Sequence, residues 1–442
     1  MKQTCIIAVS LVLLAFTPAE SRQASSQNGS VAYVVRRGDT LIDLASAYLT
    51  RPSDYRRIQR LNRVADPRRL AVGRTLMMPV ELLKADPDQA RISNFRGDVR
   101  LEHAGRTTPA TAGQIVVEGD VLSTGANAFA RIAFSDGSFV TVPSNGRVHV
   151  ARLRRYMLTG AVRQELALER GRAESTVSER RRPGGFLVRT PVSVSSVRGT
   201  EFRTVFDEQT GRGVTEVLDG VVEVGVAEGK TEAVLEPGQG VAVTNGVART
   251  VTLLPPPDLE AADQIQNRRT LDFALRPLPH ATRYRGRLAT DAGMIETFVE
   301  AESAPDQTRL TFEGIPDGVY FLRVTAVSEE GIEGLPMTHS VTRIRNLVTD
   351  LTSSATLTGR RRFYRFRWRD EGDGEARFRF QLWRDGAEAT APMIDQPGLT
   401  DTALTFADLP SGSYSWRVQV ARNRFGQRVQ TWSEVQQLRI SR

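Results

Sequence analysis

The side chains best equipped for catalysis are few and scattered. Cys5 is the only cysteine, and the four histidines, His103, His149, His280 and His339, form no HxxxH or HxH pair. Zinc ligation and general-base work need such groups at fixed local spacing or gathered by the fold, so each histidine reads as an ordinary strand or loop residue. No serine occupies a Gly-x-Ser-x-Gly elbow. Gly238-Gln239-Gly240 resembles a fragment of a phosphate loop, but it follows Glu236-Pro237 between two strand patterns. With no helix to aim N–H groups at an anion, a hairpin turn is the better reading. The numerous acidic residues offer no evident pair for glycosidase chemistry. The sequence therefore predicts no catalytic residue, no metal site and no cofactor.

Arg37-Gly38-Asp39 invites a cell-adhesion reading. Its surroundings favour a structural one. Tyr33-Val34-Val35 precedes it with strand character, and Leu41, Leu44, Ala45 and Tyr48 follow it at i, i+3, i+4, i+7, one apolar helical face. Gly38 suits a tight turn, and Asp39 and Thr40 are placed to cap the helix. Ser53 is placed to cap a second helix with Tyr55, Ile58 and Leu61 along one side. Thr75-Leu76-Met77-Met78-Pro79 reads as a closing strand, giving a strand–helix–helix–strand unit of under fifty residues.

The 442 residues suffice for three or four domains. Only Lys2, Lys84 and Lys230 are lysine, so arginine supplies nearly all of the 59 positive charges behind a net charge of +8. Scattered along strand-like segments, these arginines read as solvated faces rather than a nucleic-acid track. Lys2 precedes the apolar run CIIAVSLVLLAF and then TPAES, the pattern of a secretory signal over residues 1–21. The run is too short for a comfortable bilayer span, and Cys5 lies at its start, where a lipoprotein cysteine would not. A mature chain without cysteine has no disulfide or thiol chemistry. No later segment reaches ~18 continuous apolar residues, so no transmembrane segment is expected.

From about Ile92 the pattern becomes short alternating strands with turn signals. In ARIAF-SDGS-FVTV, Asp136-Gly137 supplies a hairpin turn. Similar runs continue to about Val251, an all-β domain built as a sandwich or a solenoid-like stack. Leu253–Leu259, LLPPPDL, reads as a stiff linker. Beyond it, LTFEGIPDGVYFLRVTA from Leu310 recurs as LTFADLPSGSYSWRVQV from Leu404, an offset of 94 residues that also aligns Tyr284, Leu288 and Asp291 with Phe378, Leu382 and Asp385.

The front unit resembles the LysM domain, a βααβ module that binds N-acetylglucosamine-containing glycans such as peptidoglycan. Tyr33, Val35, Gly38 to Leu41, Ala45, Tyr48, Ile58, Asn62, Asp66 to Leu70, Gly73, Leu76 and Pro79 carry the likeness. The resemblance implies a shallow groove between two loops. Gly38, Asp39, Thr40 and Leu41 would form one wall, and Asp66, Pro67, Arg68, Arg69 and Leu70 the other. Arg68 and Arg69 would also meet peptide carboxylates of the wall polymer. The middle segment resembles the FecR domain, through Gly97-Asp98-Val99, VVEGDVLSTGANAFARIAFSDGS, FLVRTPVSVSSVRGTEF and the DGVVEV…LEPGQGV ending; a structural ion pair of Arg198 with Glu201 is expected there. In the repeats, a proline and glycine before Tyr320 and Tyr414 resemble the tyrosine corner of fibronectin type III and immunoglobulin-like sandwiches.

The expected organisation is a mostly β, multidomain chain: signal peptide 1–21, LysM module 32–80, FecR-like β-domain 92–252, and fibronectin III-like β-sandwiches at 256–345 and 350–442. It describes a non-enzymatic protein of a Gram-negative cell envelope, periplasmic, that binds peptidoglycan and offers its β-domains to a protein partner, with no nucleic-acid partner. The alternative is a FecR-type sensor or relay acting on a membrane partner. Control of a sigma factor is disfavoured, because a signal and a LysM module stand where such regulators carry their cytoplasmic region and membrane helix. A wall hydrolase or its activator is a third reading.

Overall fold

The computed structural model describes residues 30–178, 185–226, 230–385 and 392–441. The expected signal segment and Cys5 lie outside these residues. The described chain is dominated by strands and divides into two compact units, the first ending at Lys84 and taking in 157–159, the second holding the rest.

In the first unit, β1 (Ser30–Val34) pairs antiparallel with β2 (Thr75–Pro79), setting Val31 opposite Met78 and Tyr33 opposite Leu76. The expected first strand thus begins three residues early. Between them lie α1 (Leu41–Tyr48) and α2 (Tyr55–Leu61). Leu41, Leu44 and Ala45 bury the predicted face of α1. On α2 only Ile58 is buried; Tyr55 is half-exposed and Leu61 lies in solvent, so the expected stripe is narrower. Ser53 does not cap α2. It lies within a 3-10 turn, Pro52–Asp54, and the helix follows that turn without a side-chain cap. Lys84 closes the unit by donating to the carbonyls of Ser46 and Ala47, both at 3.0 Å, where a helix C-terminus favours a cation.

In the second unit, sixteen strands between Ala85–Pro87 and Val247–Thr252 join one sheet among the described residues. Most neighbours are antiparallel, as hairpins dictate, and the Asp136-Gly137 turn joins Phe129–Phe134 to Phe139–Val142 as expected. One pairing was not foreseen: Val162–Thr176 runs parallel to Gly185–Arg189. Ile92, Val140, Leu166, Phe202, Val222 and their neighbours form one continuous core. At Gly220 the backbone takes φ +81°, and a Cβ there would stand 2.5 Å from the Gly199 carbonyl, so two glycines let the strands cross closely at an irregularity of register. The Arg198 side chain lies outside the described residues, so the expected pair with Glu201 is not described.

Two sandwiches follow. The first faces Leu271–Ala274 and Arg309–Phe312 against a five-stranded sheet, over Phe273, Tyr284, Leu288, Phe312 and Leu322. The second faces Val348–Thr358, Arg361–Asp370 and Ala403–Ala407 against another five-stranded sheet, over Phe366, Trp368, Phe380 and Trp416. The predicted tyrosine ties are present: the Tyr320 hydroxyl donates to the Pro316 carbonyl at 3.1 Å, and Tyr414 to Pro410 at 2.7 Å. The proline-rich segment is not a free linker. Leu253 is buried with Val214, Ala242 and Ile332, and the Leu254 carbonyl accepts from the Leu335 N–H at 2.8 Å.

Candidate functional site

The two loops predicted to form the groove meet directly. The Leu41 N–H, first of α1, donates to the Pro67 carbonyl at 2.8 Å. A helix leaves its first N–H groups without internal partners, and here the second loop supplies one. Each loop is fixed from within. Gly38 takes φ +94°, and the space where its Cβ would stand is open. Thr40 is the N-cap: its hydroxyl oxygen accepts from the Asp43 N–H at 3.0 Å and its hydroxyl donates to the Asp43 carboxylate at 2.7 Å.

Asp39 differs from expectation. It does not cap α1; its Oδ2 accepts from the Tyr33 hydroxyl and the Arg36 N–H, both at 2.7 Å. Burial and the facing carboxylate together push the Tyr33 phenol up to about 12. In the second loop, Asp66 Oδ1 accepts from the Arg68 N–H at 2.9 Å and its carbonyl from the Arg69 N–H at 3.1 Å. This local turn leaves Arg68 and Arg69 exposed, with no carboxylate partner described for either guanidinium. Asn62 anchors the loop to β2 by donating to Met77 O at 2.8 Å and accepting from Met77 N at 2.6 Å.

The predicted wall residues therefore differ in what they offer. The Leu41 side chain is fully buried and its N–H is engaged, so its contribution is structural. Pro67 and Leu70 are half-buried, while Gly38, Asp66, Arg68 and Arg69 are exposed. Val72, two residues beyond Leu70 and 67% exposed, is an apolar surface on the second loop that sequence reasoning missed. Its only signal was an apolar side chain inside a turn-rich run. The ensemble presents polar backbone, two guanidiniums and modest apolar area, suited to noncovalent recognition of a polar polymer.

The second unit holds a buried ionic junction that no local pattern announced. Arg172 donates to Glu300 at 2.5 and 2.6 Å and to Glu333 at 2.8 Å. Arg203 donates to Glu216 at 2.6 Å and to the carbonyls of Glu333 and Gly334, both at 2.8 Å. Glu216 also accepts from the Glu333 N–H at 2.6 Å, and Arg287 donates to Glu174 at 2.5 Å. These contacts tie the sixteen-stranded sheet to the first sandwich. Burial opposes ionisation of Glu174 and Glu300, but surrounding arginines, led by Arg287 and Arg172 respectively, hold both below the usual carboxylate range. At Glu216 burial outweighs Arg203 and raises the carboxyl.

A search of curated proteins finds no match. Among solved structures, a protein described as an anti-sigma factor of Parabacteroides distasonis is 19% identical, with a TM-score of 0.26, over 30% of this chain and 59% of its own. The chain thus spans under two thirds of that protein. A chicken tenascin segment of two fibronectin type III domains is 17% identical, with a TM-score of 0.23, over 40% and 97%. Chicken CNTN1 FN1–FN3 is 12% identical, with a TM-score of 0.22, over 61% and 97%. Among the described residues no helix is long and apolar enough to cross a membrane. At the level of family models the chain is similar to two: the LysM domain across residues 33–79, and FecR protein across residues 120–223.

Proposed function

We propose that this chain is a non-enzymatic envelope protein that grips peptidoglycan through the 32–80 module and presents its β-domains to a protein partner. The carrying observation is the LysM match over a unit whose two loops are joined by the Leu41–Pro67 hydrogen bond. LysM and FecR domains are binding and signalling modules typical of cell-envelope proteins. The reading adds export by the segment 1–21, and domains at 92–252, 256–345 and 350–442. Gly38, Asp39, Thr40, Asp66, Pro67 and Leu70 line or hold the groove, Leu41 braces it from the core, and Arg68 and Arg69 meet peptide carboxylates. A single module binds weakly, so a second contact or oligomerisation raises retention by avidity.

Retention of the full chain on purified peptidoglycan tests this. The chain should pellet with the polymer and be released by soluble N-acetylglucosamine oligomers; failure to pellet overturns the reading. Undiminished retention of Arg68→Ala/Arg69→Ala would sink the arginine assignment alone. A second reading, a relay acting on a membrane partner, is favoured by the FecR match at residues 120–223. Crosslinking in intact cells that joins 92–442 to a membrane sensor would support it.

A further inference from the structure

The outer face of the three-stranded sheet in the second sandwich carries a row of arginines broken once by a phenylalanine. Along Arg361–Asp370, the rings of Tyr364, Phe366 and Trp368 are buried, so strand alternation places Arg361, Arg365, Arg367 and Arg369 on the opposite face, with a half-buried Phe363 between the first two. Arg365, Arg367 and Arg369 follow one another roughly 7 Å apart, and Arg361 stands roughly 13 Å from Arg365 across Phe363. Strand register sets Thr352 and Ser354 on one side of Arg367 and Arg365, with Ala403 and Thr405 on the other. These small side chains leave the guanidiniums standing above their surroundings. At the ends, Arg361 lies 3.7 Å from Asp408 and Arg369 3.7 Å from Asp350. Arg365 and Arg367, in the middle, have no carboxylate partner among the described residues.

Other arginines of the same sandwich are engaged. Arg379 pairs with Asp395 through both nitrogens, and Arg417 lies 4.0 Å above the Trp432 ring. The preceding sandwich supplies an internal comparison. Phe273 pairs with Leu310 as Phe366 pairs with Leu404, so Asp272 and Ala274 hold the positions of Arg365 and Arg367. The fold does not require arginine there. Like charges side by side on one strand face repel, and nothing described within the molecule offsets that repulsion at these two positions.

We propose that Arg365 and Arg367, with the hydroxyls of Thr352, Ser354 and Thr405, form a track for an extended, carboxylate-bearing polysaccharide. The file is one strand wide, which suits a linear polymer lying along the strand better than a planar membrane. Hydroxyls flank Arg365 and Arg367, and the one ring in the file, Phe363, is half-buried, which disfavours the stacking of successive bases that single-stranded nucleic acid uses. The described lining of the file is charged, small or hydroxylated apart from Phe363, unlike the apolar pocket that anchors a protein partner. A planar guanidinium fork matches a carboxylate in two parallel bonds, and the hydroxyls complement sugar hydroxyls.

The test measures binding of the full chain to polygalacturonate, with dextran as the uncharged control. Wild type should bind polygalacturonate and not dextran, and binding should weaken with salt. Arg365→Ala/Arg367→Ala should bind roughly tenfold more weakly, as expected for losing two exposed charge-assisted contacts, with an unchanged melting temperature. Arg365→Lys/Arg367→Lys should fall between, since charge remains but the fork is lost. Arg365→Ala/Arg367→Ala should pellet with purified peptidoglycan as wild type does, which separates this site from the peptidoglycan reading. Equal binding by wild type and the double alanine variant, or none by wild type, overturns the proposal. Tighter, variant-sensitive binding to anionic phospholipid vesicles or single-stranded DNA than to polygalacturonate overturns the polysaccharide assignment.

Discussion

Asp39 stands in the loop beside the helix cap, yet its carboxylate reaches back to Tyr33 rather than into the helix. Removing it leaves the hydroxyl of the buried Tyr33 and a backbone N–H without their acceptor, so Asp39→Ala should cost about 1–3 kcal/mol in denaturant unfolding of the front unit. The tyrosine has its own signature. Its folded value is raised from 10.0 to about 12, so across that window the folded unit keeps a proton that the unfolded chain releases. Stability must therefore fall as pH rises from about 10 to 12, and Tyr33→Phe should flatten that part of the pH–stability curve. Arg68 and Arg69, exposed and without described carboxylate partners, should behave in the opposite way. Their alanine variants should change stability by less than about 0.5 kcal/mol while reducing retention on peptidoglycan. Sequence reading found the Gly38 turn and the Thr40 cap because both act within a few residues. It assigned Asp39 wrongly because the Tyr33 contact competes with capping and depends on where β1 places the phenol.

At the scale of elements, local chemistry again divides what sequence reveals from what it hides. Thr40 caps α1 in a sequence-readable pattern, and Thr40→Ala should cost about 1 kcal/mol by thermal denaturation. The two tyrosine ties were equally legible, because repetition at a fixed offset exposed proline, glycine and tyrosine together. Tyr414→Phe should lose about 1 kcal/mol while keeping the ring in the core. Ser53 gave the same local signal as Thr40, but Pro52 starts a 3-10 turn and carries the chain into α2 without a capping residue. The parallel pairing of Val162–Thr176 with Gly185–Arg189 was hidden for a different reason: alternation records which face is buried and not which strand lies alongside.

At the scale of the whole molecule, the ionic junction lay beyond sequence reading. Glu333 meets Arg172 and Arg203 across well over a hundred positions, and no local spacing encodes such a contact. Removing one member of a buried pair strands the other, so Arg203→Ala should destabilise the second unit by about 3–5 kcal/mol. Acid should weaken the junction. Because Glu174 and Glu300 are depressed in the folded state, their contribution is complete above the ordinary value of 4.5 and is lost as pH falls through their folded values. Glu216, raised instead, works in the opposite sense and softens the loss. Melting curves across the acid range should show this decline for wild type and a shallower one for Glu300→Gln. The domain kinds were legible because glycine turns, hairpins and the repeat are local; the joining of sheet to sandwich was not.

The central claim is that the facing loops of the front unit bind an N-acetylglucosamine polymer. Its most direct test is titration of the isotopically labelled full chain with N-acetylglucosamine oligomers, following backbone amide resonances. The account predicts saturable shifts at Gly38, Asp39, Thr40, Asp66, Arg68, Arg69 and Leu70, with Ile58 and the 361–370 strand unmoved. An absence of shifts in both loops, or saturable shifts confined to the second unit, would contradict it.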